Sequence, residues 1–484
     1  MFRASRLSCL VLSLFFVAFC AVGGMELSAE PRFPPPEFPP GYEKPIIHEL
    51  SRNIDCWYSP AWLGAAITVV LTFLASWLAL VMRSRRGLLA IAVASIVILG
   101  FWRQGCVCAV GSIQNISAWL AGVLPGVSIP ILILFVTPIL LTLFFGRTFC
   151  SGVCPLGAIQ EILCVRWIKV PFWLDRILSL VPYLYLGLAV WLATCGGGFI
   201  ICKYDPFVSL FRLSANHPIA ILTAFFVIVS LIVPRPYCRY LCPMGAILAV
   251  AARFSSRRAA IAPQTNCVQC KLCETVCPID AIEPPTVAPS SSERRRGRIQ
   301  LAFALAFSVV ALLSGWVLCG GLSDRDAIRF ARLVVACHPD YRRAQLYFAA
   351  PTNEQLDKWS EVWEERQANS ATSNSAGTSN TSGASAPIPA AWQRQLDVRE
   401  ASDKQKISAE QWRARVSRIE ISLAKGAPWF GLYVGLIFAW KWLEVSVRRR
   451  NEGYHILPDR CFCCGRCFNR CPESQTISPV CDLR

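Results

Sequence analysis

Apolar runs separated by short basic stretches set the pattern of this chain. The runs lie at 60–82, 87–102, 129–146, 177–195, 217–234, 299–320 and 427–447. Most are near the ~20 residues that an α-helix needs to cross a hydrocarbon layer of ~30 Å. The shorter ones predict helix ends that lie a few residues further out. A further apolar stretch from Leu7 to Val22, preceded by Arg3 and Arg6, reads as a signal peptide or first membrane anchor over 1–24. The fold class expected is therefore a polytopic α-helical membrane protein with about 7–8 transmembrane helices.

Basic residues cluster beside these runs, at Arg83-Ser84-Arg85-Arg86, Arg294 to Arg298 and Arg448 to Arg450. Loops of that kind are retained in the cytoplasm. The chain is then outside up to 60, inside at 83–86, outside at 103–128, inside at 147–176 and outside at 196–216. It continues inside at 235–298, outside at 321–426 and inside from 448. The resulting segments are a Pro-rich outer tether at 25–59, a transmembrane core at 60–256 and an inner segment at 257–298. A span follows at 299–320, an outer segment at 321–426, a second span at 427–447 and an inner tail at 448–484. In the outer segment, two charged helical stretches, Asp324 to Gln367 and Trp392 to Ala424, flank a Ser/Thr/Gly/Ala linker from Asn369 to Pro389.

Composition agrees with this. Hydrophobic residues make up 54% of 484 and charged residues only 16%, which is too apolar for an ordinary soluble domain. The net charge of +17 belongs to the basic loops, so no nucleic-acid partner is expected. The 24 cysteines point to cofactor ligation more than to a disulfide scaffold.

The chemistry lies in two cysteine runs of identical spacing, each closed by proline. The first is Cys267, Cys270, Cys273, Cys277-Pro278, and the second is Cys461, Cys464, Cys467, Cys471-Pro472. This is bacterial ferredoxin spacing, in which three thiolates hold one [4Fe-4S] cube and the fourth reaches its neighbour. Zinc, the rival for C-x2-C pairs, does not explain the doubled pattern. Two [4Fe-4S] clusters are expected, one on Cys267, Cys270, Cys273 and Cys471, the other on Cys461, Cys464, Cys467 and Cys277. Cys463 falls outside the repeat. Both runs are on the cytoplasmic side of the topology, so two separated segments can assemble one ferredoxin domain.

A second repeat stands at the membrane boundary. Phe149-Cys150-x3-Cys154-Pro155-Leu156-Gly157-Ala158-Ile159 matches Tyr237-Cys238-x3-Cys242-Pro243-Met244-Gly245-Ala246-Ile247. Repeats of this sort in membrane proteins often build a site at their interface. Cys150, Cys154, Cys238 and Cys242 are expected to converge on a thiolate site for a further metal, a disulfide or protonated thiols; buried apolar packing is the plain alternative. Cys150 and Cys154 share a helix face if that stretch is helical. Cys108 begins a weaker echo with the same Gly-x-Ile-Gln frame, and Cys106, Cys108 and Cys202 form a fainter outer candidate set. The four histidines, His48, His217, His338 and His455, offer no mid-span pair and no C-x-x-C-H, so no haem is expected.

These motifs resemble the membrane-bound polyferredoxins of the NapH, NosR and CcoG family over roughly 60–285 and 455–475. Two features depart from that pattern: no large outer flavin-binding domain precedes the spans, and two spans with an outer segment separate the ferredoxin runs. The resemblance implies a bacterial inner-membrane protein whose clusters carry electrons between a cytoplasmic or quinone donor and a respiratory or extracytoplasmic redox partner protein. It implies an electron carrier or redox-complex component rather than a self-contained enzyme. The competing expectations are a copper reductase acting through membrane thiols and a regulatory or assembly factor for a respiratory metalloenzyme.

Overall fold

The computed structural model describes residues 60–103, 109–165, 167–196, 199–212, 217–255, 270–286, 291–335, 339–352, 354–362, 390–404, 408–446 and 454–471. Cys106, Cys108, Cys267, residues 1–59 and the Asn369–Pro389 linker lie outside them. The chain forms two units, one comprising Pro39–Cys319 with Pro428–Arg484 and the other centred on Gly320–Ala427. Among the described residues, five helices are long and apolar enough to cross a membrane: Ala61–Leu80, Arg85–Trp102, Phe172–Thr194, Arg295–Leu318 and Ala409–Ser446. Shorter apolar helices occupy Ile129–Phe145, Ile219–Ser230 and Pro243–Arg253.

Several expectations change in detail. The span expected at 427–447 is the C-terminal part of a 38-residue helix, Ala409–Ser446, so the charged stretch before it is not a separate element. The charged stretch expected from Trp392 to Ala424 falls on two helices, Ala390–Lys404 and the first part of Ala409–Ser446. The loop expected at 103–128 contains the helix Ala109–Leu120, most of whose side chains are buried. Its small residues, Ala109, Gly111, Ser112 and Ala118, suit close packing but fall below the apolar content that marks a span.

Polar groups at these depths are answered locally. The first helix carries Thr68, Thr72 and Ser76 on one buried face, four residues apart. Each hydroxyl donates to the carbonyl one turn earlier, at 2.8, 2.6 and 2.8 Å. This removes the cost of an unpaired hydroxyl away from water. Ser76 also meets Thr148 at 2.7 Å, which ties this helix to the first cysteine motif. In the helix pair Ser291–Leu318 and Ala409–Ser446, Gly315 faces Gly431 and Gly435 faces Ala311. A Cβ on Gly315 would stand 2.3 Å from the Gly431 carbonyl oxygen, the close backbone approach that small residues permit between helices.

The two C-x3-C-P motifs follow the same plan. Ile129–Phe145 ends at Gly146, whose φ of 77° a side chain would strain. A single π turn, Phe149–Val153, carries Cys150, and Cys154 caps the helix Pro155–Leu163. In the second copy the short helix Pro236–Tyr240 carries Cys238, and Cys242 caps Pro243–Arg253. Proline at the first helical position costs no hydrogen bond there. Backbone at Cys154 is extended, with φ −70° and ψ 115°. Cys150 and Cys154 therefore do not share one α-helical face, because Pro155 forces its predecessor out of the helical region.

Candidate iron–sulfur and thiol site

The two ferredoxin runs meet through a short antiparallel pairing of Ile282 with Ile456 and Glu283 with His455. Leu457 N–H extends it by donating to the Ala281 carbonyl at 2.8 Å. This brings Cys277 of the first run to a cavity that is also lined by Cys461, Cys464 and Cys467 of the second. Cys273 and Ile282 form a small core against which Cys277, Cys467 and Cys471 pack. Cys270 is exposed. Two of these sulfurs accept backbone N–H groups at 3.4 Å, Cys277 from Ala281 and Cys461 from Cys463. Such bonds stabilise negative charge on sulfur.

Among the described residues no three His, Cys, Asp or Glu side chains stand close enough to hold a single metal ion. A cubane does not require that, because each of its thiolates meets a different iron. Soft sulfur donors around an otherwise apolar cavity fit such a group. Phe462, Ile279, Ile282 and Ile456 supply the apolar wall.

The second run is seated on the C-x3-C-P motifs by charged residues that the spacing of cysteines does not reveal. Glu161 is the centre of one clasp. Its Oε1 accepts Arg466 Nη2 at 2.7 Å and Nε at 3.1 Å, and Arg85 Nη2 at 3.3 Å. Its Oε2 accepts Arg235 Nε at 3.1 Å. Arg235 is fully buried, has a left-handed φ of 52°, and also donates to the carbonyls of Cys150 and, at 3.0 Å, Ser151. Burial raises the Glu161 pKa, but the charges of Arg235, Arg466 and Arg85 outweigh it and hold the carboxyl below its ordinary value.

Asp175 forms a second clasp. It pairs with Arg239 at 2.5 Å and Arg460 at 3.1 Å, and accepts the Tyr240 hydroxyl at 2.9 Å. A third joins Arg253 to Glu444 at 2.7 Å and Asp459 at 2.8 Å. Residues 459, 460 and 466 thus each carry one ionic anchor.

The four motif cysteines gather behind these clasps. Cys150, Cys238 and Cys242 are buried and Cys154 is half-buried. Cys238 Sγ accepts Gln160 Nε2 at 3.4 Å, and Cys242 Sγ accepts Gly245 N–H at 3.4 Å. Burial pushes the Cys238 thiol up to about 12, and the neighbouring Cys150 adds to this while Arg235 and Arg147 oppose it. Cys242 lies within electrostatic reach of Cys150, Cys154 and Cys238, but no three of the four stand close enough to hold one metal ion. Gly157 and Gly245 permit the approach. A Cβ on either would stand 2.9 Å from the carbonyl oxygen of Cys150 or Cys238 respectively.

Cys202 is exposed, yet its surroundings repeat those of Cys238. Gln160 Oε1 accepts Tyr237 N–H, just before Cys238, at 3.0 Å. Gln114, the matching residue of the weaker Gly-x-Ile-Gln echo, accepts Ile201 N–H, just before Cys202, at 3.0 Å. Asp205-Pro206 opens the next helix as Cys242-Pro243 does in the other copy, one residue closer to its cysteine, and Asp205 Oδ1 accepts Phe207 N–H at 3.0 Å. The two places are linked by Tyr237, whose hydroxyl donates to Asp205 Oδ2 at 3.3 Å. Cysteine spacing did not reveal Gln114, Gln160 and Asp205; the shared Gly-x-Ile-Gln frame was the available signal for the two glutamines.

A helical membrane protein carrying ferredoxin-type 4Fe-4S motifs is the class that this fold and site define. Comparison with known proteins agrees. Residues 127–178 and 215–261 match one 4Fe-4S binding domain family, which covers both C-x3-C-P motifs, and 264–283 match a second. An uncharacterized protein of Methanocaldococcus jannaschii is 30% identical over 199 residues, 37% of this chain and 76% of that protein. Protein NirI of Paracoccus denitrificans is 32% identical over 222 residues, 42% of this chain and 31% of that protein. Regulatory protein NosR of Pseudomonas aeruginosa is 28% identical over 286 residues, 51% of this chain and 38% of that protein. The chain thus spans well under half of the last two, and no solved structure matches it significantly. The chain belongs to the NosR-like family of membrane-associated, ferredoxin-type iron–sulfur electron-transport proteins.

Proposed function

We propose that the protein passes single electrons between a cytoplasmic or quinone donor and a redox partner in a respiratory or extracytoplasmic system, through two [4Fe-4S] clusters at the inner membrane. The observation that carries this reading is the seating of the Cys277–Cys461–Cys464–Cys467 cavity on the C-x3-C-P cysteines through Glu161, Asp175 and Asp459. Cys461, Cys464, Cys467 and Cys277 would hold one cluster, and Cys267, Cys270, Cys273 and Cys471 the other. When bound, such clusters accept and release one electron each with little change in shape. The chain's part is to exclude water with Phe462 and the surrounding isoleucines, direct N–H groups at sulfur, and keep the loop rigid. Each lowers the reorganisation that electron transfer would otherwise require.

The four motif thiols, one contact beyond the second run, are suited to extend the route toward the membrane. Tyr237, buried against Phe207 and Phe226 at ring distances of 5.3 and 5.5 Å, spans from Cys238 to Asp205 beside Cys202. Anaerobic purification with iron and sulfide analysis, followed by a redox titration, tests the reading. About eight iron and eight sulfide with two one-electron couples are expected; a protein without iron, or with one redox-silent metal, refutes it. A regulatory reading is favoured by the relative known as Regulatory protein NosR. It requires that a partner enzyme fail to mature in a cluster-free variant while electron flux is unchanged.

A further inference from the structure

The two halves of the internal repeat share one residue beyond the cysteine motif. Arg147 precedes Cys150 by three positions, and Arg235 precedes Cys238 by three. Both guanidiniums converge on the ring of Phe462, between the cluster cysteines Cys461 and Cys464, at 4.1 and 5.2 Å from its centroid. Arg147 is 4% exposed and Arg235 0%. Arg235 is matched by Glu161, whereas Arg147 Nη1 donates to the Asp459 carbonyl at 2.9 Å and its Nε has no hydrogen-bond partner. No carboxylate pairs with Arg147 among the described residues.

We propose that Arg147 and Arg235, one from each repeat, are positioning residues that clamp Phe462 and raise the reduction potential of the cluster held by Cys461, Cys464, Cys467 and Cys277. The proposal rests on the electron-transfer reading above. A buried cation is costly unless an anion answers it. Four thiolates around an iron–sulfur core carry net negative charge, which would answer the charge of an arginine seated against the loop that bears Cys461 and Cys464. Reduction adds one more negative charge to that core, so a fixed cation nearby favours the reduced state. The ring of Phe462 is the mechanical part of the same device. Two guanidiniums, at 4.1 and 5.2 Å from its centroid, hold the ring by cation–π attraction and leave the flanking cysteines little freedom. Arg147 and Arg235 thereby set both where the second run sits and how readily it takes an electron. The first run has no equivalent pair among the described residues, so the two clusters are expected to differ in potential, the second-run cluster being the higher.

The test uses the full-length protein in detergent, purified anaerobically, with each cluster followed by electron paramagnetic resonance during a redox titration. In Arg147→Gln and in Arg235→Gln the second-run cluster should become harder to reduce by on the order of tenfold, about 59 mV for a one-electron couple. The first-run cluster serves as an internal standard and should not move. Arg147→Lys and Arg235→Lys keep the charge and should restore most of the potential. Unchanged potentials in both Gln variants overturn the proposal. If a Gln variant loses the second-run cluster, retention at nearly the wild-type potential in the matching Lys variant supports the proposal. Loss in the Lys variants too overturns it, because shape and not charge is then what matters. Absence of any cluster signal from the wild-type protein is a separate result, which refutes the electron-transfer reading and the proposal with it.

Discussion

Replacing Glu161 with Gln tests how the ferredoxin loop is held. The carboxylate receives four N–H bonds from three guanidiniums, and its side chain is only 7% exposed. Removing one partner of a buried ion pair costs about 3–5 kcal/mol, because the other charges stay buried and unpaired. The Gln oxygen keeps part of one hydrogen bond, which offsets about 1 kcal/mol. The remaining ~2–4 kcal/mol, at 1.4 kcal/mol per tenfold, raises the open population of the 459–466 loop roughly thirtyfold to several hundredfold. Cys463 reports on this, being 4% exposed in the seated loop and adjacent to Phe462. Its rate of alkylation, read by mass spectrometry at that residue under anaerobic conditions, should rise by that factor. A rate within about threefold of wild type refutes the clasp as an energetic anchor, since 3 kcal/mol cannot leave so small a trace. The acid behaviour has a definite sign. The folded pKa lies below the ordinary 4.5 because the arginine charges outweigh burial. The stabilisation is therefore fully present above 4.5 and is lost as pH falls through the lower folded value. Alkylation of Cys463, corrected for thiolate fraction, should be flat above that range and climb below it, and Glu161→Gln should abolish the climb.

Three other outcomes follow from the same geometry. Cys471→Ser should perturb the cluster of the first run, and Cys277→Ser that of the second; spectra showing each change confined to its own run would mean the fourth ligands do not cross. Gly315→Val should lose about 1–3 kcal/mol or more from overpacking against the Gly431 carbonyl, read as a shorter half-life in detergent, whereas a wild-type half-life would mean that the two helices do not meet there. Reporter fusions after Arg86, Arg176, Arg258 and Arg450 should read cytoplasmic and one within 370–390 outside; an outside signal at Arg258 or Arg450 would sink the shared cytoplasmic ferredoxin domain.

The residue pattern alone determined the membrane class, the positions of the main apolar helices and the identity of the cysteines worth attention. The physical reason is that each of these is local. Crossing a bilayer needs a continuous apolar length, and a cluster loop needs thiolates at short fixed intervals, so both leave marks that spacing can read. The packing role of Ala109–Leu120 was hidden because small residues that pack closely score as ordinary loop composition. The continuation of the last span back to Ala409 was hidden because its charged turns look like a separate surface helix. What only the tertiary structure decided is which residues meet across the chain. Glu161 and Arg466 are 305 positions apart, and Arg147 and the Asp459 carbonyl 312. A lone Glu or Arg near a membrane boundary reads as a solvated charge. It becomes an anchor only when folding removes the water and supplies its counter-charge, and no local pattern encodes that event. Arg147 and Arg235 were within reach, three positions before a repeated cysteine, but their meaning depended on Phe462 being brought to both of them.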